Sequence, residues 1–164
     1  ARGKKKKKST NGDELIVISS DSETADDETT NHATEQQLSG REREIQLIKA
    51  RNLTRDGNVL NNQRKYAKAL NLFHEALQIR LKILGDRHED VAVSYHCIAY
   101  ALKNQGKHGS AVRSQGKYEK AMKLHEKGLE IRLEKRDYHV ISSYTGIACV
   151  LELQGKYEEA MEMH

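Results

Sequence analysis

The side chains with the most chemical potential in this 164-residue chain are eight histidines, two cysteines, and Lys107 and Lys117, each of which follows a glycine. A helical zinc site needs two histidines four residues apart on one face with a carboxylate between them, and no histidine pair here has that spacing. Two stretches, Ala101 to His108 (ALKNQGKH) and Ala111 to Tyr118 (AVRSQGKY), imitate the end of a phosphate-binding loop. Both lack the Ser or Thr that would ligand magnesium after the lysine, and both fall between helical patterns instead of between a strand and a helix. Cys97 and Cys149 stand far apart, match no metal or redox spacing, and suit a reducing compartment. His125 and His164 repeat the place of Phe73 in a recurring segment, so they are expected to pack rather than to coordinate. No catalytic, cofactor or metal site is expected, and the chain reads as a non-enzyme.

Two charged blocks come first. Residues 1–8 (ARGKKKKK) carry six positive charges, with Lys4, Lys5, Lys6, Lys7 and Lys8 forming a run of the nuclear-import type. Residues 9–40 carry eight acids and neither Lys nor Arg. Their apolar content is too low to offset chain entropy, so residues 1–40 are expected to be a disordered tail, acidic across 21–35. No aromatic platform accompanies the lysines, so no specific nucleic-acid binding is expected. The sequence has no apolar run near the ~20 residues that span a bilayer, and no membrane partner is expected.

Within the tail, Leu15, Ile16, Val17 and Ile18 form an aliphatic quartet inside the segment 13–23, DELIVISSDSE. An extended aliphatic run can add as a strand to another protein's sheet edge. Aliphatics followed by Asp21 and Glu23 resemble the SUMO-interacting motif, which implies docking of the quartet on SUMO or a sumoylated protein, with the acids meeting a basic rim. Ser19, Ser20, Ser22 and Thr24 are phosphorylation candidates, and each phosphate would add about −1.5 to −2 charges to that arm.

These features need elements to carry them, and the rest of the chain supplies a repeat. Gln-Gly-Lys occurs at 105–107, 115–117 and 154–156, with Gln63-Arg64-Lys65 as a relative. Behind it runs a stripe with helical spacing, Tyr66, Ala69, Leu70, Phe73, Ala76 and Leu77 in the first copy. Before it runs a second stripe, Tyr95, Ile98, Ala99 and Leu102, repeated as Tyr144, Ile147, Ala148 and Leu151. Small residues at Gly57, Ala99 and Ala148 are expected to face Ala69, Ala121 and Ala160. The spacing predicts an all-α domain over 44–164, about two and a half helical hairpins turned at Gln-Gly-Lys. Residues 104–113 (NQGKHGSAVR) and 114–123 (SQGKYEKAMK) read as a tandem duplication, predicting a longer loop or a recombined pair of repeats. The chain is expected to be a piece of a longer protein.

The pattern Tyr-x-x-Ala-x-x-x-Phe/His-x-x-Ala/Gly after a small residue on the preceding helix resembles the tetratricopeptide repeat. The longer linker IRLKILGDRHEDVA resembles the kinesin-light-chain-like subtype. The resemblance implies an α-solenoid whose first helices line a groove for a peptide or protein ligand. By correspondence the groove residues are Arg51, Thr54, Arg55, Asn58 and Asn62, then His96, Cys97, Tyr100, Lys103 and Asn104, then Thr145, Cys149 and Glu152. Arg51, Arg55 and Lys103 would favour an acidic ligand. The chain is therefore read as an interaction scaffold of the nucleus or cytoplasm, its alternative being a motor adaptor that links cargo to microtubule transport.

Overall fold

The computed structural model describes residues 38–163, the side chains of Val112 and Arg113 excepted. The basic cluster, the aliphatic quartet, the acidic segment and His164 lie outside the described residues. Six α-helices and no strand occur among those described: α1 (Gly40–Asn62), α2 (Tyr66–Leu84), α3 (Glu89–Lys107), α4 (Ala111–Lys135), α5 (Val140–Leu153) and α6 (Tyr157–Glu162). None of them is long and apolar enough to cross a membrane.

Helix α1 begins at Gly40, four residues ahead of the periodic pattern, because Ser39 builds a capping box. Its hydroxyl accepts from the Glu42 amide at 3.3 Å, while the Ser39 amide donates to the Glu42 carboxylate at 2.7 Å. Those bonds hold the Glu42 carboxyl below the usual carboxylate range. Helix α3 starts in a different way, with the His88 ring nitrogen accepting from the Asp90 amide at 3.1 Å.

Each helix packs on its predecessor and its successor, and α1, α3 and α5 also touch in turn, so the first helices of the hairpins share one side. The apolar stripes fill the space between. Ala69, Phe73, Leu77, Val91, Ala92, Ile98 and Ala101 form one cluster with Ile131; Ala99, Tyr118, Ala121 and Val150 form a second; Ile147, Ala148, Leu151 and Ala160 form a third. Ala99 and Ala121 thus share one cluster, and Ala148 and Ala160 share another. Against Gly57, however, lies the ring of Phe73, which would stand 2.5 Å from an added Cβ.

The first and third hairpin turns fall at the expected places, Gln63-Arg64-Lys65 and Gln154-Gly155-Lys156. After α1 the Lys65 amide donates to the Leu60 carbonyl, and after α5 the Lys156 amide donates to that of Leu151, a six-residue closure that needs one left-handed residue. Gly155 supplies it at φ 78°, whereas Arg64 is forced into it at φ 61°. In the middle hairpin the expectation of a turn at 115–117 is corrected: those residues lie inside α4, and the chain reverses at 108–110. The ten extra residues do not lengthen a loop. They lengthen the two helices, because Gly106 leaves room for the Tyr118 ring and the Ser114 hydroxyl donates to the Gly106 carbonyl at 2.6 Å. The outer turns of α3 and α4 therefore pack on each other and stay helical.

Candidate functional site

The repeat places a long side chain near the end of each second helix, and there the chain uses arginine. Arg80 on α2 is buried, 4% exposed, and its guanidinium donates to Ser94 on α3 at 2.6 Å and to Thr54 on α1 at 3.1 Å. Fifty-two residues on, Arg132 on α4 repeats the device, donating to Ser143 at 2.6 Å and Ser142 at 3.0 Å on α5, with Asp137 at 3.9 Å. A buried guanidinium needs its donors satisfied, and in both repeats a serine of the following helix accepts from one Nη, while the Nε of Arg132 has no hydrogen-bond partner. These arginines join neighbouring hairpins. Sequence reasoning passed over them, although Ile-Arg-Leu recurs in both copies and was the available signal.

Between α3 and α5 this packing leaves a cleft of about 440 Å³. His96, Tyr100 and Lys103 line it from α3, Ile141, Ser142, Thr145, Gly146 and Cys149 from α5, His125 from α4, and Tyr138 and His139 from the linker before α5. Five of the groove residues inferred from the repeat pattern meet here: His96, Tyr100, Lys103, Thr145 and Cys149. The others do not line it. Thr54 turns its hydroxyl onto the Ala50 carbonyl and Arg80, and Cys97 packs against the first apolar cluster, where burial pushes its thiol up. Arg51, Arg55, Asn58, Asn62 and Glu152 are exposed, and Asn104 is half-buried. His125, Tyr138, His139, Ile141, Ser142 and Gly146 line the cleft without having been placed in the groove from sequence. His125 comes from a second helix and Tyr138 and His139 from a linker, so a search of first helices alone misses them.

The cleft is aromatic and cationic. The His96 and Tyr100 rings stack, 10° from parallel with centroids 6.4 Å apart. The Lys103 ammonium sits 4.6 Å over the Tyr100 ring, a cation–π contact that holds it at the cleft wall. The His96 ring stands edge-on to His125 at 5.3 Å. His125 occupies the Phe73 slot, 2% exposed, its ring against the Gly146 backbone, where a Cβ would collide with it. Burial, then Arg132 and Lys103, push His96 down to about 4. Burial, then His96 and Lys103, push His125 down to about 3. Both imidazoles are therefore neutral near pH 7. Among the described residues no cluster of His, Cys, Asp or Glu is placed to hold a metal ion.

A model of the tetratricopeptide repeat matches residues 50–114 and 105–164. No curated protein matches the sequence. The two matched stretches span most of the chain and coincide with hairpins whose first helices share one side. The chain belongs to the tetratricopeptide repeat family, whose members are generally non-enzymatic scaffolds for protein–protein interaction.

Proposed function

We propose that the cleft between α3 and α5 is the peptide-binding groove of a scaffold of the kinesin-light-chain-like subtype, and that its ligand is an extended acidic peptide. The observation that carries this is the lining: Lys103, three histidines and two tyrosines surround about 440 Å³, and no carboxylate is among them. Such a wall offers stacking surface for an apolar or aromatic anchor and positive potential for an acid beside it. A peptide-display screen against the whole chain tests it. The expected ligands are acid-rich, and Lys103→Met weakens them about tenfold by removing the ammonium while keeping the stem that packs on Tyr100. Ligands indifferent to that change would remove the groove from this cleft.

The tail gives the scaffold its second contact in this reading. Leu15 to Ile18, followed by Asp21 and Glu23, supports binding to SUMO, and Lys4 to Lys8 support nuclear import. Titrating labelled SUMO with residues 1–40 should shift the signals of the aliphatic quartet, and Ile16→Ala with Val17→Ala should abolish the shifts. Binding that survives the double change would refute the motif. Motor adaptation is the competing use of the same repeats. Cytoplasmic retention that is unaffected by replacing Lys4 to Lys8 would favour it.

A further inference from the structure

The deepest side chain of the cleft is chemically out of place. His125 is 2% exposed, and neither ring nitrogen has a hydrogen-bond partner. Phe73 fills the same slot of the first hairpin, against Gly57 as His125 lies against Gly146, so packing alone is met by a phenyl ring. An imidazole there leaves a donor and an acceptor unmade, which a phenyl ring does not. The buried Nδ1 of His96 is also without a partner, and its ring touches His125 edge-on.

The charges facing the pair explain what is missing. From α3 come Lys103 and the Tyr100 hydroxyl group; from α4, Arg132; from the segment leading into α5, Tyr138 and His139; from α5, the Cys149 thiol. No carboxylate lines the cleft with them, and Asp137 stands 3.9 Å from Arg132. Two imidazoles thus share a cation-rich cleft with no anion of their own.

Resting on the groove reading above, we propose that ligand binding here is proton-linked. A carboxylate side chain of the peptide enters between α3 and α5, pairs with Lys103, and is matched by one proton taken from solvent onto the His96–His125 pair. The free cleft holds the pair neutral; the carboxylate supplies the missing counter-charge and raises the pair's proton affinity. The complex therefore carries more protons than its parts, and affinity rises as pH falls, by up to about tenfold per pH unit for one proton. The carboxylate itself stays ionised above about pH 5.

The test uses the whole chain and a capped glutamate tetrapeptide, with its glutamine counterpart as the neutral control, measured by calorimetry at pH 7.5 and 6.0. The expected result is at least about a fivefold gain in affinity at pH 6.0 for the glutamate peptide and none for the glutamine one. In H96Q/H125F, which keeps Lys103 and the surface histidines, the gain should shrink below about twofold. An equal gain in wild type and H96Q/H125F would overturn the proposal, as would no gain or no binding of the glutamate peptide at either pH. That last result leaves the groove reading intact wherever displayed peptides still depend on Lys103. Should H96Q/H125F not fold, proton NMR of the wild-type rings decides. The titration midpoint of His96 or His125 should rise by about three pH units with the glutamate peptide, enough to protonate the pair near pH 6, and a rise that leaves both rings neutral at pH 6.0 would overturn the proposal.

Discussion

Replacing His125 by Phe separates packing from protonation at a single side chain. The folded-state value of His125 lies well below that of an unfolded histidine, so the unfolded chain binds the proton first. Its contribution is fully present above about pH 6.5 and is lost as pH falls toward about 3, at roughly 1.4 kcal/mol per pH unit for each such histidine. Melting curves of wild type should therefore drop steeply from pH 7 to pH 5, and His125→Phe should melt higher at pH 5 and drop less. Equal slopes would mean that His125 is not the acid-labile group. The slot itself was legible in the sequence, because a periodic stripe places His125 where Phe73 stands. Its contact with His96 was not, since nothing in either helix's periodicity says which faces of successive hairpins meet.

Helix α4 meets α5 where the His125 ring lies on Gly146, and the absence of a side chain at Gly146 sets how closely the two helices approach. Gly146→Ala drives a methyl into that ring and should cost about 1–3 kcal/mol. His125→Ala alone leaves a void and should cost a similar amount. Combined, the two changes should cost less than their sum, because the new methyl occupies part of the void. Strict additivity in urea melts would show that the contact does not set the spacing. At this scale the sequence marks the helices well and their limits less well. Gln115-Gly116-Lys117 carries the same letters as the true turn at 154–156 yet stays helical, because Gly109 and Ser110 break the chain earlier and the flanking residues can bury Tyr118. A local motif was overridden by packing available only in the middle hairpin.

Stacked hairpins gain stability from their neighbours, so cooperativity need not be uniform along the array. The middle pair, α3 and α4, spans two apolar clusters, whereas α6 has six residues, buries Ala160, and leaves Met161 72% exposed. A helix of that length does not hold itself in water. Native-state hydrogen exchange should find the amides of α6 opening at least about a hundredfold more readily than those of α3. Uniform protection from α1 to α6 would show the array to unfold as one unit. The overall architecture was legible because three copies of one pattern reinforce each other, while the cleft was read only in part because it draws on a second helix and a linker.

The lengthened middle hairpin also bears on how such genes change. Residues 104–113 and 114–123, read as a tandem duplication, add far less to the chain than a repeat. The fold accommodates them at the outer ends of α3 and α4, with Ala99 and Ala121 still in one apolar cluster below. On that reading, growth at a hairpin tip escapes the repeat period, and the copied letters lie inside a helix instead of at the turn that the same letters mark at 154–156.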